Sequence, residues 1–254
     1  PVVNGLAFRR DRRMGDRNLN RGMFESAIAR DNEDRVANVL CPLLRAHDVL
    51  IDLHSFRGEG GAFGLIGPAD NTGELEPFAH ADAEAALVKA MNLPMVVHGW
   101  LAGHEKALRQ KQAAGETGLS SLHGVGTTEF MRFAGGYGVT VECGQHLAPD
   151  AAQVGYDCVI YGLAHLGMIA APAPEVRLPR VLEITDVILA DHEGDRLVRR
   201  FGAGEAIALG EVIGHRVDGR EIVAPYDGAV IFSDSTARVN AELCYLFKSC
   251  SRLE

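Results

Sequence analysis

Apolar positions in the first two thirds of the chain follow helical and strand patterns in alternation. Apolar residues repeat at helical spacing between Asn32 and His47, and the short apolar run Val49-Leu50-Ile51 then leads into Asp52-Leu53-His54. The first pattern predicts an amphipathic helix and the second a buried strand. The alternation continues with helices predicted over Glu74–Met91 and Ala151–Ile169 and strands over Pro94–His98 and Val139–Glu142.

The pattern changes at residues 171–180, where Pro172, Pro174 and Pro179 predict a linker. Beyond it, short strand candidates are separated by turn residues, and Asp218-Gly219 and Asp227-Gly228 are typical of hairpins. The candidates are Val181–Ile184, Val187–Ala190, Ala206–Leu209, Val212–His215, Glu221–Ala224 and Ala229–Phe232. We therefore predict an α/β domain with a largely parallel sheet over residues 1–170 and a small all-β domain over 181–254.

Composition narrows the range of partners. The chain has 254 residues, a net charge of −9 and a mean hydropathy of +0.01, so it offers no general affinity for nucleic acid or anionic membrane. No apolar run reaches the roughly 18 residues of a membrane span. Five cysteines without a C-x-x-C pair favour a reducing cytoplasm. We expect a cytoplasmic protein that acts on a small molecule, and a homo-oligomer is compatible with these features.

Two of the predicted strands end in residues with reactive side chains. One strand leads into His54 and the other into Glu142. Ligands of open α/β sheets bind beyond the carboxyl ends of the strands, where a histidine can hold a metal ion and a glutamate can act as a general base. Taken singly, each residue has an ordinary interpretation as well, a hydrogen-bonded core histidine and a solvated or ion-paired glutamate.

The run from Arg13 to Arg21 is rich in arginine and admits two interpretations. In the first, it is an exposed loop whose arginines pair with Asp11, Asp16 and Glu25. In the second, a guanidinium group and an adjacent asparagine amide bind a carboxylate, and a second arginine polarises a carbonyl. The residue types alone leave both interpretations open.

In order along the chain, G-D-R-N-L-N-R, I-D-L-H-S and V-T-V-E-C-G resemble the succinylglutamate desuccinylase/aspartoacylase family, relatives of the zinc carboxypeptidases. The resemblance implies a zinc-carboxypeptidase-like sheet flanked by helices, followed by the small β domain. It implies that His54 is a zinc ligand and Glu142 the general base. It also implies that Asn20 and Arg21 grip the substrate carboxylate and that Arg13 polarises the acyl carbonyl.

The sequence departs from the family pattern in two places. Asn18 stands where the family has an aspartate before L-N-R, and the H-x-x-E zinc motif is absent from the twelve residues before Arg13. A catalytic zinc normally has three protein ligands. We therefore expect the functional protein to begin upstream of Pro1, with a first strand and two further ligands there, and to bind one zinc per chain.

The resemblance therefore implies zinc-dependent hydrolysis of the amide bond of a small N-acyl amino acid or related carboxylate. Two alternatives stay open. A zinc carboxypeptidase that cleaves short peptides would use the same kinds of residues, and a non-catalytic relative would bind a small carboxylate through Arg21 without hydrolysing it.

Overall fold

The chain segments with alternating helical and strand patterns form a mixed sheet flanked by helices. The computed structural model describes residues 4–172, 174–235 and 237–254. In chain order the strands are β1 (Val49–Phe56), β2 (Phe63–Leu65), β3 (Met95–His98), β4 (Tyr137–Gln145), β5 (Arg180–Leu189), β6 (Arg196–Leu197), β7 (Glu205–Ile207), β8 (Val212–His215), β9 (Glu221–Val223), β10 (Gly228–Ile231) and β11 (Glu242–Ser249).

The helices are α1 (Gly5–Arg9), α2 (Asn32–Arg45), α3 (Ala81–Ala90), α4 (Trp100–Ala113), α5 (Thr127–Phe133) and α6 (Ala151–His165), with a 3₁₀ turn at Ser121–Gly124. Helix α2 shows how the sequence sets these limits. The Asp31 side chain accepts a hydrogen bond from the Asp34 amide and caps the helix, and Glu33 and Asp34 complement the helix dipole in the first turn.

Eight strands form one sheet in the order β1-β4-β2-β3-β5-β11-β10-β7, and β6, β8 and β9 form a second, small sheet. Strand β1 runs parallel to β4, and β3 runs parallel to β2 and β5. Strand β2 is antiparallel to β4, and the pairings among β5, β11, β10 and β7 are antiparallel too. The predicted fold class, an α/β sheet flanked by helices and followed by a smaller all-β part, is confirmed. The large sheet is mixed, because β2 lies antiparallel to β4 and the C-terminal strands add antiparallel pairs.

The large sheet continues past the predicted linker. Strand β5 begins at Arg180, and its residues pair in parallel with β3. The chain just before it is fixed to the α/β part, because the Asn92 side chain donates to the Glu175 carbonyl and accepts from the Arg177 amide. The division at residues 171–180 stays a prediction, and the two predicted parts share one sheet.

Several element limits differ from the sequence-based expectations. Helix α3 begins at Ala81 rather than Glu74, because Asn71 and Phe78 pair through their backbones and Asp70 accepts a hydrogen bond from the Ala81 amide. Helix α6 ends at His165, two residues before Gly167, whose φ of 71° lies in the left-handed region. The two strands expected at 181–184 and 187–190 are one strand, β5.

Apolar residues from both predicted parts of the chain form the core along the sheet. One cluster packs α3 and α6 against β4, through residues such as Leu87, Val139 and Val141. Another joins β3 and β5 to β10 and β11, through Val97, Leu182 and Phe247. In the part of the chain that the structure describes, no helix has the length and apolar character needed to cross a membrane.

Candidate active site

Strands β1 and β4 place alternate side chains on one face of the sheet. Asp52 pairs with Thr140 and His54 with Glu142, in parallel register. Because side chains alternate between the two faces of a strand, all four lie on the same face, and Val139, Val141 and Cys143 point into the core on the other. The sheet therefore brings the two predicted strand-end residues, His54 and Glu142, side by side.

The arginine-rich segment between α1 and α2 is fixed to the start of α2. The Glu33 carboxylate accepts hydrogen bonds from the backbone amides of Gly15, Asp16 and Arg17, at 2.9, 3.0 and 3.2 Å. Arg17 in turn binds Asp31 and Asp34, at 2.8 and 2.6 Å, and donates to the Arg21 carbonyl. The segment is thus held by α2, and Arg17 has this structural role.

A cavity of about 250 Å³ brings all five predicted site residues together. Arg13, Asn20, Arg21, His54 and Glu142 line it. The first three come from the segment before α2, and the other two from β1 and β4. Within the described residues, neither Arg13 nor Arg21 takes part in an ion pair, unlike Arg17. Their predicted roles stay predictions, but the proximity on which those roles depend is present.

A chain of hydrogen bonds connects Asn20 with His54. The Asn20 Oδ1 accepts from the Thr127 backbone amide at 2.8 Å, and the Thr127 hydroxyl donates to Asp52 Oδ2. The same Asp52 oxygen accepts from His54 Nε2 at 2.9 Å. Because a backbone N–H can only donate, the Asn20 oxygen must face Thr127, and the Nδ2 hydrogens remain to bind a ligand.

The close approach at Thr127 depends on the preceding glycine. A Cβ at Gly126 would lie 2.1 Å from the Asn20 Oδ1. The Gly126 amide donates to the Glu129 carboxylate at the start of α5, which fixes the first turn of that helix. Gly126 therefore lets Asn20 reach the first turn of α5.

Charge and burial act together on the acidic and basic groups of the cavity. Burial raises the pKa of Glu142, whereas the nearby His54 and Arg13 partly offset that rise. Partial desolvation, followed by the charge of Arg21, lowers the pKa of Arg13, and Glu142 opposes this. Burial also lowers the pKa of His54, but the hydrogen bond and charge of Asp52 outweigh it, so the net shift is upward.

Glu142 has an unsatisfied oxygen. Its side chain is 7% exposed, and its Oε2 is buried without a hydrogen-bond partner among the described residues. A buried polar oxygen without a partner is costly and is common at sites that bind a ligand or a water molecule. The carboxylate is therefore placed to accept a proton or a hydrogen bond from a bound molecule.

An aromatic wall faces the charged residues. The rings of Trp100, Phe232 and Tyr245 lie within 5.5–6.2 Å of one another. The Arg21 guanidinium stacks on Trp100, 4.8 Å from the ring centroid, and the Trp100 Nε1 donates to the Gly124 carbonyl at 3.0 Å. Trp100 thus positions Arg21 through a cation–π contact.

The residues of the described chain fit a zinc site only in part. The Asp52–His54 hydrogen bond is the arrangement that orients a metal-binding histidine, and it leaves Nδ1 as the nitrogen that could bind a metal ion. Within residues 4–172, 174–235 and 237–254, however, no three His, Cys, Asp or Glu side chains are grouped to hold a metal ion. His54 fits as one ligand, and the described residues do not complete a zinc site.

Several residues of the cavity lie outside the set that the sequence analysis assigned to the site. Trp100, Thr128, Glu129 and Thr140 come from the α/β part, and Leu65 comes from the short strand β2. Three more come from the C-terminal part, namely Phe232, Glu242 and Tyr245. Thr140 belongs to the quoted V-T-V-E-C-G run, where strand alternation with Glu142 could have identified it. The C-terminal residues become part of the site only through the pairing of β11 with β5.

Sequence comparison and structure comparison give different results. No protein-family model matches the sequence, and no curated protein matches it. Solved structures do match. A succinylglutamate desuccinylase/aspartoacylase from Rhodobacter sphaeroides superposes with a TM-score of 0.72 at 16% identity, covering 98% of this chain and 74% of that one.

Two further solved structures give the same result. The product-bound ectoine utilization protein EutE (DoeB) from Ruegeria pomeroyi has a TM-score of 0.69 at 20% identity, with 98% of this chain and 74% of that one covered. A succinylglutamate desuccinylase from Vibrio parahaemolyticus has a TM-score of 0.67 at 15% identity, with 98% and 70% covered. The resemblance inferred from the three sequence motifs is confirmed in the fold: this chain has the fold of succinylglutamate desuccinylase/aspartoacylase proteins.

Proposed function

We propose that the protein hydrolyses the amide bond of a small N-acyl amino acid or a related carboxylate. The observation that carries this proposal is the single cavity in which two arginines, an asparagine, a histidine and a buried glutamate meet. The names of the similar structures, desuccinylases and aspartoacylases, support the same class of reaction. The cavity that contains Arg21 and Asn20 has a volume of about 250 Å³, which suits the carboxylate end of a small substrate.

The substrate carboxylate would bind at Arg21 and Asn20. The Arg21 guanidinium is oriented by Trp100, and it donates a hydrogen bond to the Asn20 carbonyl at 2.7 Å. A guanidinium fork together with the Asn20 amide hydrogens can bind both oxygens of a carboxylate. Binding there would fix the distance from the carboxylate to the scissile bond.

Glu142 and Arg13 would then act on the amide. Glu142 would take a proton from the attacking water and pass it to the departing amine, since its carboxylate is buried in the cavity and one of its oxygens has no hydrogen-bond partner among the described residues. Arg13 would stabilise the negative charge that develops on the carbonyl oxygen. Both residues line the cavity beside His54.

Zinc is part of the proposal as a cofactor. His54, oriented by Asp52, would supply one ligand, and a catalytic zinc site would need two further protein ligands in addition to it. When bound, zinc supplies Lewis-acid chemistry for amide hydrolysis. A native mass spectrum of the complete gene product should show one zinc per chain, and a metal-free protein that still hydrolyses the substrate would remove zinc from the proposal.

Substitutions at Glu142 and Arg21 test the function on the complete protein. Glu142→Gln keeps the size of the side chain and should lower kcat by at least about 10²-fold, because the general base is lost. Arg21→Ala should mainly raise KM for acetyl- and succinyl-amino acids, and Arg21→Lys should restore only part of the binding because it lacks the guanidinium fork. Wild-type turnover in Glu142→Gln would contradict the proposed role.

Hydrolysis assays with acyl-amino acids and with dipeptides distinguish the proposed deacylase from a carboxypeptidase and from a non-catalytic binding protein. The proposal predicts hydrolysis of acetyl- or succinyl-amino acids and little hydrolysis of dipeptides. The reverse preference would indicate a carboxypeptidase. Binding of N-acyl amino acids without hydrolysis, in the complete protein supplied with zinc, would indicate a carboxylate-binding protein.

A further inference from the structure

Phe232 has an unusual backbone conformation for an aromatic residue. It follows β10 directly and has a φ of 55°, in the left-handed region that residues with a bulky side chain rarely adopt. A glycine would occupy this region without steric cost. Phe232 therefore carries a bulky side chain at a backbone conformation that favours glycine.

Contacts hold the backbone on both sides of Phe232. On the preceding side, Ile231 pairs with Tyr245 in the sheet. On the following side, the Ser233 hydroxyl donates to the Phe201 carbonyl at 2.7 Å and accepts from the Phe201 amide at 3.0 Å. Backbone strain that the surroundings impose in this way is frequent where a side chain serves a ligand site.

The ring of Phe232 lies between two cavities. One is the cavity of about 250 Å³ described above, and the other is a neighbouring cavity of about 470 Å³ that also includes Phe56 and Phe63. Four residues line both cavities, namely Arg13, His54, Glu142 and Phe232. The two cavities therefore meet at the groups proposed to act on the amide, and Phe232 is the apolar member of that boundary.

The ring is held in place by other aromatic rings. Its centroid is 5.8 Å from that of Phe63 on the side of the second cavity, and 6.2 and 6.1 Å from those of Trp100 and Tyr245 on the side of the first. Edge-on aromatic contacts of this kind fix a ring against its neighbours. Phe232 is thus a fixed obstacle between the cavities.

We propose that Phe232 limits the size of the acyl group, so that the substrates are N-acyl amino acids with short acyl chains. This inference rests on the proposed function. The carboxylate binds at Arg21 and Asn20 in the first cavity, and the scissile amide lies at Arg13 and Glu142, where the cavities meet. The acyl group then extends toward the second cavity, and the ring of Phe232 blocks a longer chain.

Ligand binding tests the limit without depending on catalysis. The chain contains a single tryptophan, Trp100, which lines the first cavity, so its fluorescence should report binding. The probes are N-acetylglycine, N-butanoylglycine and N-hexanoylglycine, titrated against the complete protein and checked by calorimetry. We expect the wild type to bind the hexanoyl probe at least about tenfold more weakly than the acetyl probe.

Phe232→Gly removes the ring and the backbone strain together. It should raise the affinity for the hexanoyl probe relative to the acetyl probe by at least about tenfold. This is a modest expectation, because burying the additional methylene groups of the hexanoyl chain could raise the affinity by more than that. Phe232→Leu should give an intermediate shift, and it keeps the test possible if the glycine variant folds poorly. The matched control is Asn240→Gly, which changes another left-handed residue, with a φ of 61°, outside both cavities.

The outcomes distinguish this inference from the proposed function. An unchanged ratio of hexanoyl to acetyl affinity in both Phe232 variants would mean that the ring only fills space between Phe63, Trp100 and Tyr245, and it would overturn the inference. Failure of the wild type to bind N-acetylglycine would overturn it too. A shifted ratio in a protein that hydrolyses none of the probes would support the size limit and contradict the proposed function.

Discussion

Thr127 is the residue on which both halves of the site depend. Its backbone amide binds Asn20, the proposed carboxylate ligand, and its hydroxyl binds Asp52, which orients His54. One residue at the start of α5 therefore sets the position of two functional side chains from different parts of the chain. The backbone bond to Asn20 survives substitution, whereas the hydroxyl bond to Asp52 does not. The hydroxyl also lies 3.5 Å from the Asn20 Oδ1, but the 2.8 Å backbone bond to the same oxygen remains, so the two roles can be separated.

Thr127→Val should mainly affect the Asp52–His54 side of the site. The valine keeps the shape of the threonine and the backbone bond to Asn20, but it cannot donate to Asp52. We expect kcat to fall by about 10- to 100-fold with KM changed little, because Asp52 would orient His54 less firmly for the metal-ligand role proposed for it. Thr127→Ser keeps the hydroxyl and should retain most of the activity. A rise in KM at unchanged kcat would show that Thr127 acts through Asn20 instead.

Sequence reasoning succeeds best for elements with a clear pattern. Short apolar runs predict strands β1 and β4, and the motifs at their ends indicate His54 and Glu142 as candidate site residues. Helix α4 is not predicted, because its buried face includes Gly103 and His104 and so lacks a regular apolar stripe. Strand β11 is buried continuously from Leu243 to Phe247 and shows no alternation of apolar and polar residues.

The parts of the site that sequence reasoning missed are those that depend on contacts distant in sequence. Trp100 lies at the start of the unpredicted helix α4, and Tyr245 lies on the unpredicted strand β11. Phe232 reaches the cavity from just beyond β10, a strand that the sequence predicts. Nothing in the local sequence near Phe232 indicates that β11 and β5 bring it to the cavity, because that placement is decided by strand order.

Helix α5 is joined to α3 and β4 by a buried ionic cluster around Arg132. The Arg132 side chain is nearly inaccessible and pairs with Glu84 at 3.0 Å, Glu76 at 3.1 Å and Glu129 at 3.4 Å. It also donates to the Gly138 carbonyl, and Glu84 accepts from the Gly138 amide. Since α5 carries Thr127 as well, the cluster helps to fix the helix that positions Asn20 and Asp52.

Removing Arg132 should destabilise the protein strongly. Arg132→Met leaves Glu84 buried without its counter-charge, and breaking a buried pair in this way costs about 3–5 kcal/mol. Urea denaturation should show this loss, whereas Arg35→Met, at an exposed arginine of α2, should change the free energy of unfolding by less than about 0.5 kcal/mol. Adding Glu84→Gln to Arg132→Met should cost less than the two single losses combined. A loss near zero in Arg132→Met would mean that the cluster contributes no net stability.

At the scale of the whole molecule, the site belongs to both predicted parts of the chain. Arg13 and Arg21 come from the segment before α2, and His54 and Glu142 come from β1 and β4. Phe232, Glu242 and Tyr245, in contrast, come from beyond residue 181. The shared sheet passes through β5, which connects these parts directly. The β part therefore forms one wall of the cavity, and this is a physical reason to expect substrate size to depend on it.

The stability of the whole molecule should depend on pH through two carboxylates, one in each predicted part of the chain. Burial alone would raise the pKa of Glu33, but hydrogen bonds from Asn4 and from the amides of Asp16 and Arg17 lower it to about 2. Burial alone would likewise raise the pKa of Asp195. Hydrogen bonds from the Arg216 side chain and from backbone amides outweigh it and lower this pKa to about 2. Each pKa is lower in the folded than in the unfolded chain. The two carboxylates therefore add their full contribution to the free energy of unfolding above about pH 5. That contribution is lost as the pH falls toward 2.

Asp195→Asn tests this dependence. The amide cannot carry the charge that pairs with Arg216, so the variant should be less stable than the wild type at pH 6. Because residue 195 no longer titrates, however, the variant should lose less of its free energy of unfolding than the wild type between pH 5 and pH 3. Urea denaturation at those pH values measures both effects, with Glu193→Gln in the same turn as the exposed control. Equal losses in the variant and the wild type over this range would show that Asp195 titrates alike in the folded and unfolded chains, and acid sensitivity would then have to come from other carboxylates such as Glu33.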